Sequence, residues 1–202
     1  MIKKIFILNG TGGSGKDTFA ECLNKVIPTQ HISIVDKAKL IAKKIGWKGE
    51  KTEKDRKFLS DIKLAIDNYD DSNFEYIKNA VEVFKQDKEH NILCIDMRER
   101  NQIARAKKEF GAQTILIERD QVKNILSNPG DADVYNTVYD YTIDNSGSLD
   151  DLQGIAQEFI NECVVNEKKT DYKNKIKDSS ASNKAESYFD VIDFINKLFE
   201  LE

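Results

Sequence analysis

Gly10-Thr11-Gly12-Gly13-Ser14-Gly15-Lys16-Asp17-Thr18 decides the reading of this chain. The apolar run Ile5-Phe6-Ile7-Leu8 ahead of it reads as a buried strand, and Phe19-Ala20-Glu21-Cys22-Leu23 behind it reads as the opening of a helix. Strand, glycine-rich turn and helix form the context in which the spacing G-x-x-x-x-G-K makes a phosphate cradle. Gly10 and Gly15 bracket that spacing, and Gly12 and Gly13 add the backbone freedom that aims successive N–H groups at one anion. The following helix adds the positive end of its dipole. Lys16 adds a point charge for the outer phosphates of a nucleoside triphosphate. A Ser or Thr ordinarily follows this lysine and offers its hydroxyl to magnesium. Here Asp17 stands in that place and Thr18 comes next, so either Asp17 through a water or Thr18 itself is expected to make the metal contact. A turn that merely caps a helix is the plain alternative; strand, spacing, lysine and helix together favour the cradle.

The chain has 202 residues, enough for one domain of ordinary size with an appendage. Its formal net charge of −4 leaves no footprint for duplex nucleic acid or an anionic membrane. Cys22, Cys94 and Cys163 lie far apart in apolar surroundings and read as reduced core thiols. The apolar run near the N-terminus is too short for a secretory signal, and no run approaches the length of a membrane span. A cytoplasmic protein is expected.

Outward from the loop, apolar segments of strand and helix type alternate. Strands are expected over Lys3 to Asn9, His31 to Val35, Asn91 to Ile95, Thr114 to Ile117 and Tyr139 to Ile143. Helices are expected over Lys16 to Lys25, Lys37 to Lys44, Thr52 to Asp70, Glu99 to Phe110 and Leu149 to Cys163, with a further helix carrying Phe74, Ile77, Val81 and Phe84. The alternation predicts a three-layer α/β domain, a five-stranded parallel sheet flanked by helices, over residues 1–165. Residues 36–88 form a helical insertion within it. Residues 166–184 are rich in Lys, Asp, Asn and Ser and read as a polar linker. Residues 185–202 carry Phe189, Ile192, Ile195 and Phe199 at helical spacing and read as an amphipathic helix.

In doubly wound sheets, ligands bind beyond the carboxyl ends of the strands. Asp36, Asp96 and Arg119 all fall at such ends. Asp96 is placed like an aspartate that holds magnesium through water, with a helix cap as its alternative. Arg98, at a strand-to-helix junction, offers a planar fork for a phosphate. Asp36 and Lys39 lie just past the second strand, where a second substrate would reach, Arg56 opens the charged helix that follows, and Arg119 either covers the transferred phosphate or pairs with a neighbouring acid. Arg100 and Arg105 read as a solvated helix face. Trp47, Tyr69, Phe74 and Tyr76 serve either a base or the core. His31 reads as a core or edge histidine, since nothing nearby completes a metal set.

Gly15-Lys16-Asp17-Thr18 resembles the G-K-D-T loop of the deoxynucleoside monophosphate kinase family. Val35-Asp36-Lys37-Ala38-Lys39, Asp55-Arg56-Lys57-Phe58-Leu59, Ile95-Asp96-Met97-Arg98-Glu99 and the run from Tyr139 to Gly147 resemble, in order, four further segments of that family. The resemblance implies a P-loop NTPase fold of the nucleoside-monophosphate-kinase type, with ATP and Mg2+ as cofactors and small-molecule nucleotides as substrates. It implies that Lys16 holds the transferred phosphate and that Asp36, Arg56 and Arg98 face the acceptor, with the 36–88 insertion binding it. The segment from Gln121 to Asn136, where a lid belongs, contains no arginine, which leaves Arg119 as the lid candidate. A homodimer is left open. Two rivals remain: a kinase for another small acceptor such as phosphomevalonate, and a nucleotide-binding regulatory protein that docks through its last helix.

Overall fold

The computed structural model describes residues 3–50, 52–122 and 134–166. The expected linker, the C-terminal helix and Lys123, Asp131 and Asp133 of the lid segment lie outside the described residues. Contacts divide the chain into a unit of residues 1–160 and a second of residues 161–202.

Five strands run in one parallel sheet: β1 (Lys4–Asn9), β2 (Thr29–Ser33), β3 (Ile92–Asp96), β4 (Gln113–Glu118) and β5 (Tyr141–Asp144). Their spatial order is β2-β3-β1-β4-β5, so β1 sits at the centre between β3 and β4. Among the described residues, α1 (Lys16–Val26), α2 (Asp36–Lys44), α3 (Glu53–Tyr69), α4 (Ser72–Gln86) and α5 (Arg100–Phe110) lie between strands, and α6 (Leu149–Ile160) follows β5. A π-helical turn, Asn161–Asn166, opens the second unit, where a continuation of the last helix to Cys163 was expected.

Period-two alternation on the central strand builds two cores. Ile5 and Ile7 face one way, into a cluster with Phe74, Ile77, Val81 and Phe84 of α4 and Ile103 and Ala106 of α5. Phe6 faces the other way. Its ring meets Phe159 of α6 edge-on at 5.2 Å, and Phe159 meets Phe19 of α1 at 5.9 Å and Tyr141 at 5.1 Å. Parallel strands covered on both faces explain why β1, β3 and β4 read as unbroken apolar runs.

This strand order, with a glycine-rich loop between the central strand and its helix, is a P-loop NTPase fold. The order reverses direction at β1, because the chain leaves it for β2 and β3 on one side and returns to β4 and β5 on the other. The crevice beside the carboxyl end of β1 is where such a sheet opens for a ligand, and the loop lies there.

Two strands are shifted from their expected places. β2 begins at Thr29 and stops at Ser33, because the Asp36 carboxylate accepts the Ser33 N–H at 2.8 Å and turns the chain out of the ladder. β5 begins at Tyr141, because the side chains of Tyr139 and Asp140 are engaged with Asn9 and with Thr114. Phe58, Leu59, Ile62 and Ile66 form the apolar stripe of α3 and are only half-buried, and the buried residue of that helix is Lys63. The three cysteines are buried thiols outside any disulfide, as expected. No described helix is long and apolar enough to cross a membrane.

Candidate phosphate and metal site

The loop is built from its first residue. Asn9 is fully buried; its Oδ1 accepts the Gly10 N–H at 2.8 Å and its Nδ2 donates to the Tyr139 hydroxyl at 2.8 Å. That anchors the exit from β1. At Gly10, φ is +149°, and a Cβ would stand 2.4 Å from the Ile117 carbonyl oxygen. At Gly15, φ is +97°, and a Cβ would stand 2.1 Å from Asn145 Nδ2. Both positions therefore need glycine. Asn145, reached through β5, donates to the Ser14 carbonyl at 2.8 Å and pins the loop from the far side. Gly15 is also the N-cap of α1 and provides no side-chain cap, so the first-turn amides remain available to an anion.

Lys16 folds over this cradle. Its ammonium donates to the carbonyls of Gly10 at 2.8 Å and Thr11 at 3.2 Å and approaches Ser14 Oγ at 3.5 Å. The Thr11 hydroxyl donates to the Val122 carbonyl at 3.2 Å. A Cβ on Gly13 would meet Val122 at 3.6 Å. Gly12 lies buried between them. The segment carrying Arg119 thus crosses beside the loop; Arg119 Nε donates to Gln121 Oε1 at 3.3 Å, and Gln121 Nε2 donates to the Ser146 carbonyl at 3.2 Å.

Asp17 and Thr18 stand in the first turn of α1. Asp96 ends β3, next to β1 in the sheet. His31 lies on the edge strand β2, and its Nε2 is 3.1 Å from Asp96 Oδ1. Ligand atoms of Asp17, His31 and Asp96 all lie within 4.8 Å of one another. The expectation that nothing completes a metal set around His31 is therefore corrected: strand pairing brings Asp96 to it, and the helix after the loop brings Asp17. Burial alone would lower the His31 pKa, but the hydrogen bond and charge of Asp96, with the charges of Asp17 and Asp36, outweigh it and raise it. The carboxylates of Asp17 and Asp96 are hard oxygen donors of the kind a magnesium ion takes, so the donor set fits such an ion.

The remaining candidates lie around this centre. Asp36 opens α2; besides its bond to Ser33, its Oδ1 accepts from Lys39 Nζ at 2.7 Å. Arg56 lies in the first turn of α3 behind a capping box, in which Thr52 and Asp55 satisfy each other's backbone N–H. Arg98 is half-buried between β3 and α5. Sequence reasoning missed the group that ties these parts together. Lys63 of α3 donates to Glu99 Oε1 at 2.9 Å and to Asp67 Oδ2 at 2.7 Å, with its side chain 9% exposed. Asn73 Nδ2 donates to the other Asp67 oxygen at 2.7 Å. The bridge joins the insertion to the residue beside Arg98. Arg105 lies on a solvated helix face as expected, with its side chain 36% exposed, and there it covers the Phe74 ring at 3.8 Å and pairs with Asp71 and Glu109.

No protein-family model matches the chain, and no curated protein matches it. Solved structures do. A shikimate kinase from Aquifex aeolicus is 14% identical over 79% of this chain and 98% of its own, with a TM-score of 0.45. A sugar kinase from Janibacter sp. is 10% identical over 80% and 95%, with a TM-score of 0.49. An APS kinase from Mycobacterium tuberculosis is 14% identical over 79% and 96%, with a TM-score of 0.40. Likenesses of this size name no acceptor for this chain.

Proposed function

We propose that this protein transfers the γ-phosphoryl group of ATP to a small phosphorylated acceptor, a nucleoside or deoxynucleoside monophosphate. The observation that carries the reading is the Lys16 ammonium held over the glycine cradle, with carboxylate oxygens of Asp17 and Asp96 within 4.8 Å of each other where the next helix starts and β3 ends. Phosphoryl transfer needs little covalent help from a protein. It needs the phosphates positioned and their charge neutralised. Loop amides and Lys16 supply both for the donor, the lysine exchanging its carbonyl partners for phosphate oxygens. Asp17, Thr18 and Asp96 are the groups that would hold Mg2+. When bound, that ion neutralises charge on the β and γ phosphates. Arg98 would hold the acceptor phosphate with a bidentate fork. Asp36, Lys39 and Arg56 would contact the rest of the acceptor, and Arg119 would close over the transferred group.

The resemblance of the segments around Asp36, Arg56, Asp96 and Asn145 to the deoxynucleoside monophosphate kinases supports the acceptor class. The test is a coupled ATP-consumption assay with magnesium against all common ribo- and deoxyribonucleoside monophosphates. Turnover on one or a few of them, reduced at least about a hundredfold in Lys16→Ala, supports the reading and fixes the acceptor. Wild-type turnover in that variant, or silence across the panel with ATP still bound, overturns it.

A further inference from the structure

His31 is left over from that account. Phosphoryl transfer calls for no imidazole, yet the one on β2 points into the metal position. We propose that Asp17, His31 and Asp96 form a three-ligand site in which His31 Nε2 coordinates the ion directly, so that this site binds Mn2+ more tightly than Mg2+.

The geometry is close to what coordination requires. Two ligand atoms at right angles on an ion, each about 2.1 Å from it, stand about 3 Å apart. The His31–Asp96 pair already has that spacing, at 3.1 Å. The Asp17 oxygen lies within 4.8 Å of both, in the exposed first turn of a helix. Exposure of 26% for the His31 side chain and 16% for Asp96 gives an ion a way in and leaves sides open for water or phosphate oxygens. Three carboxylates, those of Asp96, Asp17 and Asp36, act on the imidazole. That concentration of negative charge favours a dication, and an ion entering would replace the hydrogen bond between His31 and Asp96.

The donor types decide which ion. Magnesium takes oxygen and keeps its waters. Imidazole nitrogen suits first-row transition ions, whose affinity for such sites rises from manganese onward. The sequence also trades the usual loop hydroxyl for Asp17, so both departures fall on this same ion. Its part in the reaction rests on the phosphoryl-transfer reading, but its binding does not.

The probe is Mn2+, added to the nucleotide-free protein and to the protein loaded with the methylene analogue of ATP. Free Mn2+ is counted by electron paramagnetic resonance, and pulsed spectra are recorded on protein labelled with 15N-histidine. The expected result is one bound ion with a directly coupled histidine nitrogen in the wild type. In His31→Gln that coupling is lost and the affinity falls about tenfold, which is 1.4 kcal/mol, while the protein still unfolds in one cooperative transition. His90, the other histidine, is unaltered in that variant and controls for stray coupling. Mg2+ is expected to displace the ion only in large excess. Bound Mn2+ without histidine coupling, an affinity unchanged in His31→Gln, or no binding at millimolar Mn2+ with the analogue present would each overturn the proposal. None of these readouts uses turnover. Histidine coordination in a protein inactive on every acceptor would keep the metal inference and remove the kinase reading.

Discussion

Asn145 Nδ2 occupies the space that a Cβ on Gly15 would need, 2.1 Å away, while donating to the carbonyl of the preceding residue, Ser14, at 2.8 Å. Asn145, just past the last strand of the sheet, thereby locks the glycine-rich loop that follows the first. Gly15→Ala is expected to abolish nucleotide binding, since it combines a left-handed φ with a collision against a polar group. Asn145→Ala removes one hydrogen bond, worth about 1 kcal/mol, and leaves the glycine intact. ATP affinity should fall about five- to tenfold. Calorimetric titration of both variants checks this; Gly15→Ala binding like wild type would show that the loop is not held as described.

Asp140 gives a pH dependence with a definite sign. Its Oδ2 accepts the Thr114 N–H at 2.7 Å, the Thr114 hydroxyl at 2.8 Å and the Lys107 ammonium at 2.7 Å. Partial burial would raise its pKa, but Lys107 and the two Thr114 donors outweigh that and lower it. A carboxyl that binds protons less readily when folded stabilises the fold above its unfolded pKa, near 3.9. That contribution is lost as pH falls through the folded value. Asp140→Asn should therefore be less stable than wild type at neutral pH, and the difference should shrink on going to pH 3. Urea melts at several pH values would show a constant difference if the carboxylate charge played no part.

The loop, the strand–helix alternation and the C-terminal ends of the strands were legible because each is written locally, in spacing, periodicity and turn residues. His31 was not. Its partner Asp96 is 65 residues away and reaches it only because β2 pairs with β3 rather than with its sequence neighbour β1. Strand order is a property of the whole sheet, and no window around His31 contains it. Lys63 was hidden for a different reason. In a helix crowded with Lys, Asp and Glu, a lysine reads as solvent-facing, and the two carboxylates that make its burial tolerable lie one turn on and across in another element. Arg105 was rightly read as solvent-facing, but nothing local showed that its guanidinium meets the Phe74 ring.

Phe159 holds the α1–α6 layer to the sheet. Its ring meets Phe6, Phe19 and Tyr141 edge-on, contacts worth about 0.5–1.5 kcal/mol each beyond the area buried. Phe159→Ala should cost about 3–5 kcal/mol through the cavity it leaves, lowering Tm by roughly 10 °C or more in a domain of this size. Phe159→Leu fills most of that volume and loses the ring geometry, so it should cost clearly less. Calorimetry that ranks the two variants equally would contradict the assignment of the stability to packing around this ring.

Lys63 offers a test that separates stability from catalysis. Its ammonium bridges Asp67, four residues along the same helix, to Glu99, the residue after Arg98. Lys63→Met keeps the apolar stem and deletes the charge, leaving Asp67 and Glu99 facing each other across the gap. Breaking a buried pair costs about 3–5 kcal/mol; Glu99 is 38% exposed and regains water, so the lower end of that range is expected. Burial would lower the Lys63 pKa, but Glu99 and Asp67 outweigh it and raise it. The bridge therefore contributes fully below the unfolded lysine value near 10.4 and is lost only as pH rises through the still higher folded value. Between pH 6 and 9 the penalty should be constant. On the proposed function, the effect follows from Glu99 carrying Arg98 with it: KM for the acceptor should rise several-fold while the affinity for ATP stays near wild type. Lys63→Arg, which restores the charge, should recover part of both losses. Equal weakening of donor and acceptor would mean that Lys63 supports the domain as a whole and does not position the acceptor side of the crevice.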